Sequence, residues 1–435
     1  MFTFPVDYSY FHFPNSVELS KSLFSMNIFA VIIIATLAVD IVLNVVADLY
    51  NLKSLDKGLP QEFSDVYDED TYDKSQRYTK VRTKFGFVTS AFNLLLLLGF
   101  WFAGGFQWLD EIVRSWELGV IWTGLAYIGI LLVAKQILSL PFSLYSTFVI
   151  EEKFGFNETT PKTFALDLVK GLGLSIVLGG PLLAGILAFF TFIDQFAWLY
   201  AWGAVTVFTL VIQFVAPRWI MPIFNDFEPL RESDLRQKIR DYADKVNFAM
   251  EGVYVMDGSK RSSKSNAFFT GFGKNKRIAL YDTLIENHEE DELVAVLAHE
   301  IGHYKKKHII KNMAISVAQT GIMFFLLSIF LNSEGLFDAF FMEQMSVYAG
   351  LIFFGMLYAP IDMIVSIFMQ ILSRKYEFEA DEFASTTYQK EPMIAALKKL
   401  SKDNLSNLTP HPFYVFLNYS HPPVLERIQT IRNSK

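Results

Sequence analysis

The chain has 435 residues, of which 52% are hydrophobic, 16% are aromatic and only 19% are charged. An average soluble domain carries about 25% charged residues, so this composition favours a protein that places much of its surface in lipid. The net charge of −7 argues against nucleic acid as the main partner, because phosphate binding needs a basic surface. Cysteine is absent, which excludes disulfides and leaves His and carboxylate side chains to bind any metal.

The first 25 residues mix polar and aromatic side chains. They lack the basic segment and the short apolar stretch of a signal peptide. We predict that residues 1–25 form a disordered or interfacial extension, with a translation start at Met26 as an alternative.

Seven apolar stretches are long enough, at about 20 residues, to cross the hydrocarbon core of a bilayer as helices. They lie at 26–50, 87–106, 120–140, 171–192, 195–216, 312–331 and 345–372. A buried soluble helix would explain any one of these stretches, but it is a poor explanation of all seven together. The sequence therefore predicts a predominantly α-helical, polytopic membrane protein in contact with the lipid bilayer.

Along the chain, connecting segments that carry several Lys and Arg residues alternate with connecting segments that carry one or none. The cation-bearing segments are 51–86, 141–170, 217–311 and the tail 373–435. The segments with one arginine or no cation are 107–119, 193–194 and 332–344. Because cytoplasmic loops carry the excess of Lys and Arg, the pattern places the amino terminus outside and both large polar segments in the cytoplasm.

The large polar segments, 217–311 and 373–435, together have the size of one domain. Transmembrane helices 1 to 5 occupy residues 26–216, and helices 6 and 7 occupy 312–372. We therefore predict a cytoplasmic α+β domain that is split by a helical hairpin through the membrane.

Within the first polar segment, the spacing of apolar residues predicts an amphipathic helix at 230–247. Short strands are predicted at 252–256, 265–270 and 277–281, with a turn at 273–276 between the last two.

The sharpest motif is His299-Glu300-Ile301-Gly302-His303, in a segment with helical periodicity. Two histidines four residues apart lie on one face of a helix and can bind one tetrahedral zinc ion. Glu300 lies beside them and can accept a proton from the attacking water. Two solvent-facing histidines on an ordinary helix are the alternative, although this motif rarely forms by chance in a chain with 7 His.

A catalytic zinc ion needs a third protein ligand on the same side of the membrane. Glu377 and Asp381 lie four residues apart just after the last span, as a like-charge pair that a nearby cation would stabilise. We predict Glu377 as the third ligand and Asp381 as the acceptor for the ring N–H of a ligand histidine. The alternative is a solvated acidic helix face, with Glu379 and Glu382 as neighbours.

Three further side chains have weaker signals. His421 and Arg427 are candidates for stabilising the oxyanion of a hydrated peptide bond, with a structural role as the alternative for each. His308 follows Lys305–Lys307 and is interpreted as part of a basic membrane-proximal surface.

Asn266, Ala267 and Phe268 lie in the predicted strand at 265–270 and are candidate substrate-binding residues. An exposed edge strand can pair with an extended peptide, and an ordinary internal strand is equally consistent with the sequence.

Taken together, the motifs resemble those of the type I CAAX prenyl proteases, in the order typical of that family. The matching segments are PFSLYSTFVIEEKFGFN at 141–157, SKRSSKSNAFFTGF upstream of the histidine motif, VAVLA before HEIGH, ExxAD after the last span, and the terminal SHPPVLERI. The similarity covers about 27–431.

The resemblance implies an integral-membrane zinc metalloendopeptidase of the gluzincin type, with seven helices around a large water-filled chamber. It implies one zinc ion per chain and a peptide or prenylated-protein substrate. The implied zinc ligands are His299, His303 and Glu377, with Glu300 as the base and Asp381 in support. The positions implied to hold the substrate or the transition state are Asn266, His421 and Arg427.

Two features depart from the family pattern. Residues 1–25 have no recognised counterpart, and Asn287 to Asp291 is a tight connection where eukaryotic members often carry a long charged insertion. The compact form is more similar to the bacterial branch, which favours the bacterial cell membrane, or the endoplasmic reticulum membrane if the source is eukaryotic. Bacteria lack the usual prenylated substrates, so the physiological substrate stays open.

Two other functions remain alternatives at this point. One is a membrane quality-control endopeptidase without CAAX preference; the other is a zinc transporter or a proteolytically inactive scaffold. A transporter would place its ligands near the bilayer midplane. The main intramembrane acids here, Asp40, Asp48 and Asp362, have no histidine in the spans beside them. The oligomeric state is left open.

Overall fold

A computed structural model of the chain describes residues 27–55, 57–270 and 277–434. The predicted extension at 1–25 and the predicted turn at 273–276 lie outside the described residues.

The chain begins with a bundle of long apolar helices. In order these are α1 (Ile28–Ser54), α2 (Glu69–Phe102), the short α3 (Gly105–Arg114), α4 (Val120–Glu151), α5 (Pro161–Phe192) and α6 (Ala197–Phe224). All except α3 are long and apolar enough to cross a membrane. Large apolar side chains such as Leu95, Val169 and Trp219 are exposed on these helices, where acyl chains would cover them.

A mixed segment of strands and helices follows the fifth spanning helix. It contains β1 (Phe227–Pro229), α7 (Asp234–Lys245), β2 (Gly252–Met256), β3 (Ala267–Thr270), β4 (Arg277–Tyr281), α8 (Asp282–Asn287) and α9 (Glu290–Lys305).

A hairpin of two spanning helices comes next, and three short helices complete the described chain. The hairpin consists of α10 (His308–Phe330), the short α11 (Glu334–Asp338) and α12 (Val347–Thr387). The final helices are α13 (Lys390–Asp403), α14 (Pro412–Asn418) and α15 (Val424–Asn433).

The prediction of seven spanning helices is confirmed, but several helices are longer than their apolar stretches. The α2 helix begins at Glu69 because the Asp68 side chain accepts a hydrogen bond from the backbone N–H of Thr71, which caps the helix before its apolar part. The predicted loop at 107–119 contains most of α3, whose Phe106, Leu109 and Val113 are buried against the bundle.

The sheet has the strand order β1-β2-β4-β3. The β2 and β4 strands are parallel, and the two outer pairs are antiparallel. The predicted strands at 252–256 and 277–281 have the observed bounds, and the third begins two residues later than predicted, at Ala267. Within the described residues β3 pairs only with β4, so its other side is a sheet edge.

The α9 helix lies at the centre of the core that covers the sheet. Its Leu293, Leu297 and Ile301 are fully buried, together with Ile278 of β4 and Ile428 of α15. The core thus combines residues that precede the α10–α12 hairpin with residues that follow it. This packing holds α9 rigidly against the end of α12.

Candidate metal centre

Capping interactions fix both ends of α9, which carries the histidine motif. The Glu289 side chain accepts a hydrogen bond from the backbone N–H of Glu292, and the Glu292 side chain accepts one from the backbone N–H of Glu289. The two bonds form a capping box. Glu292 also pairs with Lys399 at 2.8 Å. At the other end, Lys307 adopts a left-handed conformation with φ 60°, which separates α9 from α10.

The α12 helix brings the acidic motif to the same place. Its 41 residues span about 60 Å at 1.5 Å per residue, about twice the thickness of a hydrocarbon core. Glu377 and Asp381 lie near its end, beyond the length that the bilayer needs. The helix crosses α9 closely at Gly302, where a Cβ atom would lie 3.1 Å from both Cα and the carbonyl oxygen of Ala380.

This crossing brings the three predicted ligands together. The Nε2 atoms of His299 and His303 are 3.1 Å apart. Oxygens of Glu377 lie 3.4 Å from Nε2 of His299 and 3.3 Å from Nε2 of His303. Ligand atoms about 2.0–2.1 Å from one tetrahedral zinc ion are separated by about 3.3 Å. The three side chains are therefore spaced as ligands of a single metal ion.

The buried carboxylate of Glu377 supports this reading. Among the described residues its Oε2 atom has no hydrogen-bond partner, although the side chain is only 6% exposed, and its contact with Nη1 of Arg427 is a longer ion pair at 3.4 Å. An unsatisfied buried carboxylate oxygen is costly, and a cation between it and the two imidazoles would remove that cost. The donor set of two imidazoles and one carboxylate fits a metal ion.

Asp381 holds the first of these histidines. Its Oδ1 atom lies 2.8 Å from Nδ1 of His299, and its side chain is fully buried. Arg427 donates two hydrogen bonds to the same carboxylate, at 2.8 and 2.6 Å. Burial by itself would lower the pKa of His299, but the Asp381 carboxylate raises that pKa to about 9. The contact therefore orients the ring and makes it a stronger ligand.

A cavity opens beside the cluster. Its walls include Glu300, His421 and Arg427 together with Asn266 and Ala267 at the start of β3. His421 is exposed, and its Nε2 atom lies 3.4 Å from Oε1 of Glu377. Nη1 of Arg427 lies 3.4 Å from the other oxygen of Glu377. The structure thus brings these predicted site residues around one opening. Phe268 is half-buried and is not among the lining residues.

Glu300 is a further carboxylate that lines the cavity. Removal from water raises the pKa of Glu300, and the neighbouring histidines oppose that increase. A carboxylate with a raised pKa is a better general base near neutral pH than an ordinary surface carboxylate. Because Glu300 lines the cavity beside the three-ligand cluster, it is the candidate for the proton transfer that the sequence predicts.

The interpretation of His308 as part of a basic surface is wrong, and the alternative of a solvated acidic helix face also disagrees with the structure. His308 is only 2% exposed and does not form a basic surface. Glu379 does not lie on a solvated face, because its Oε2 atom contacts Nε2 of His308 at 3.0 Å. Sequence reasoning missed this contact because the two residues are on helices whose approach depends on the whole fold. The close pairing of Asp381 with Arg427 was missed for the same reason.

Asp381→Asn should weaken the binding of a metal ion such as zinc by about 10–100-fold, because the amide is a poorer acceptor for the ring N–H of His299. The change also leaves the buried Arg427 without its counter-charge, so the protein should lose stability. Zinc affinity should therefore be measured by chelator competition well below the unfolding temperature. Glu382→Gln is the matched control, since Glu382 is exposed on the same helix. Equal zinc affinity in the two variants would contradict the supporting role.

Sequence comparisons match almost the whole described chain. Residues 48–226 match a family profile described as the CAAX prenyl protease N-terminal region with five membrane helices. Residues 229–435 match peptidase family M48. The two matches meet at the end of α6, where the spanning helices give way to the sheet.

Individual relatives agree with the family profiles. A CAAX prenyl protease 1 homolog of Oryza sativa is 37% identical over 386 residues, which cover 86% of this chain and 90% of the relative. CAAX prenyl protease 1 of Saccharomyces cerevisiae is 34% identical over 404 residues, which cover 86% and 88%. The crystal structure of S. mikatae Ste24p has a TM-score of 0.86 and 32% identity, over 93% of this chain and 98% of that one.

Proposed function

The chain belongs to the CAAX prenyl proteases of peptidase family M48, and on this premise we propose that it uses zinc to remove the C-terminal tripeptide of prenylated CAAX proteins. It is an integral, multi-pass membrane metalloendopeptidase. The observation that carries the proposal is the three-ligand cluster, spaced for one metal ion and open to a cavity that ends at a sheet edge.

The metal is proposed to be zinc, with one ion per chain. Two imidazoles and one carboxylate form a donor set typical of catalytic zinc, which keeps one position open. His299, His303 and Glu377 would hold the ion. When bound, zinc acts as a Lewis acid that lowers the pKa of water and polarises a carbonyl group.

The residues around the cavity would carry out the proton transfers and orient the substrate. Glu300 accepts a proton from the attacking water and returns it to the leaving amine. His421 reaches into the cavity and can donate a hydrogen bond to the oxygen of the scissile carbonyl as charge develops on it. Arg427 donates from Nε and Nη2 to Asp381, so Nη1, which lies 3.4 Å from Glu377, is the nitrogen that would support the same charge.

The edge of β3 supports binding of an extended peptide. Asn266 and Ala267 lie at the start of this strand and also line the cavity. A substrate backbone that pairs with the free edge would therefore run towards the three-ligand cluster. The lipidated part of the substrate would lie between the spanning helices. Phe268 would contribute to the edge through its backbone.

A paired-substrate assay tests the specificity. Purified protein with zinc should cleave a farnesylated CAAX peptide at least about tenfold more efficiently than its unprenylated twin, since about 1.4 kcal/mol of lipid contact is enough for that ratio. Equal cleavage of the two peptides would instead favour a quality-control endopeptidase without CAAX preference. Family membership gives the transporter and the inactive scaffold no support.

We propose that the sheet and the three-ligand cluster lie on the cytoplasmic side, because the segments that contain them are rich in Lys and Arg. The connection from α8 to α9 is short, because α8 ends at Asn287 and α9 begins at Glu290. This compact form is the argument for a bacterial cell membrane rather than the endoplasmic reticulum.

A topology assay should confirm this sidedness. A reporter fused after Lys435 should be active on the cytoplasmic side, and a reporter inserted at Ser333 should be active on the opposite side, because Ser333 lies between α10 and α12 and only α12 crosses the membrane between the two positions. Reporters that act on the same side at both positions would show that the hairpin does not span.

A further inference from the structure

The second ligand histidine has its own partner, which differs from that of the first. Nε2 of His303 faces Glu377, and Nδ1 of His303 lies 3.0 Å from Nδ1 of His308. The opposite nitrogen of His308, Nε2, lies 3.0 Å from Oε2 of Glu379. The three side chains thus form a continuous line of hydrogen bonds that starts at a predicted metal ligand and ends at a carboxylate. We call this line, His303–His308–Glu379, the relay.

The ring of His308 is held in one orientation. It is 2% exposed and stacks on Tyr376, with ring centroids 4.0 Å apart and planes 10° apart. Glu379 is also fixed from its other side, because its Oε1 atom lies 3.7 Å from Nζ of Lys375. Turning the nitrogens of His308 away from His303 would preserve the stacking but lose the hydrogen bonds to both His303 and Glu379.

The proton positions in this line follow from the donor rules of imidazole. A metal-binding Nε2 of His303 has no proton, so Nδ1 of His303 carries the proton and donates it. Nδ1 of His308 must then be the acceptor, which leaves the proton of His308 on Nε2. That N–H donates to the carboxylate of Glu379. Every atom in the line has a complementary role, and only one arrangement of tautomers allows this.

The backbone places His308 where this line requires it. His303 lies in the last turn of α9, and an uninterrupted helix would carry a residue five positions later away from the His303 face. Lys307, in the left-handed conformation, ends α9 and starts α10 in a new direction. A non-glycine residue in that conformation costs about 1 kcal/mol or more, which is typical of a strained position at a functional site.

We propose that His308 and Glu379 are positioning residues that fix the tautomer and the orientation of His303 for metal binding. The inference rests on the proposed three-ligand site. The two ligand histidines then have different supporting contacts. His299 is held by Asp381, which is paired with Arg427, and His303 is held by the neutral imidazole of His308, which donates to Glu379. Because the charge of Glu379 acts through a second ring, its removal should be milder than the removal of His308.

Zinc affinity of the full-length protein, measured by chelator competition, tests the relay. His308→Phe keeps the stacking on Tyr376 but removes the acceptor, and it should weaken zinc binding by about 10–100-fold. Glu379→Gln keeps an oxygen acceptor and loses the charge, so it should weaken binding by up to about tenfold. Glu382→Gln, exposed on the same helix, should bind zinc as the wild type does.

Two further readouts separate positioning from a structural role. In the cobalt-substituted protein, the visible absorption of the metal should shift in His308→Phe and Glu379→Gln but not in Glu382→Gln, because ring orientation changes the ligand field. The double variant should bind zinc no more weakly than His308→Phe alone, since Glu379 acts through His308. The unfolding temperature of the metal-free variants controls for loss of fold.

The outcomes distinguish the relay from the site on which it rests. A wild type that binds no zinc would overturn the three-ligand site and the relay together. Normal zinc binding in the wild type, with unchanged affinity and cobalt spectrum in folded His308→Phe, would overturn the relay alone. Additive losses in the double variant would show that Glu379 acts independently of His308.

Discussion

Replacing Glu300 with Gln should lower the rate of peptide hydrolysis by at least about a hundredfold, as expected for loss of a general base. Gln is close to Glu in size but cannot accept the proton of the attacking water. The two histidines and Glu377 are unchanged, so the metal should remain. Glu300 lines the open cavity, and the change alters neither the size of this side chain nor the helix that carries it.

This prediction is checked by measuring turnover and metal content on the same preparation. The variant should contain about one zinc ion per chain and unfold at the wild-type temperature. Turnover near the wild-type rate would assign the base to another residue. Loss of zinc together with activity would mean that Glu300 contributes to metal binding instead.

His303→Ala should remove most of the zinc and essentially all of the activity. The change deletes one of three ligand atoms that lie 3.1–3.4 Å apart, and the remaining pair, His299 and Glu377, leaves the usual three-ligand site incomplete. It also leaves Nδ1 of His308 without its hydrogen-bond partner, while Nε2 keeps its contact with Glu379.

Metal analysis after dialysis against a weak chelator measures this effect. Glu300→Gln is the control, because it should lose activity while retaining zinc. Full zinc occupancy in His303→Ala would contradict the ligand assignment. Together the two variants separate metal binding from proton transfer.

Much of the site could be predicted because its parts are local in sequence. A four-residue spacing on a helix places His299 beside His303 whatever the rest of the chain does. The like-charge pair of Glu377 and Asp381 indicated a cation, since two carboxylates on one helix face repel each other. The spanning helices were equally accessible, because hydropathy over about 20 residues reports directly on the bilayer.

The remaining contacts depend on how distant helices approach each other. The spacing places Glu379 on a different helix face from Glu377, but it does not indicate that another helix contacts this face. The α10 helix turns back at Lys307 and covers that face with His308. Arg427 reaches Asp381 across 46 positions of sequence. A single sequence contains no periodicity that reports such an approach.

The arrangement of ligands along the chain has a consequence for biosynthesis. His299 and His303 emerge from the ribosome before the α10–α12 hairpin, and Glu377 emerges only near the end of α12, the second spanning helix of that hairpin. A chain grows from its amino terminus, so a nascent or prematurely ended product presents two histidines without the carboxylate. Completion of the hydrolytic centre therefore waits for the last two membrane insertions. Peptide-bond cleavage can therefore begin only after the α10–α12 hairpin has been synthesised.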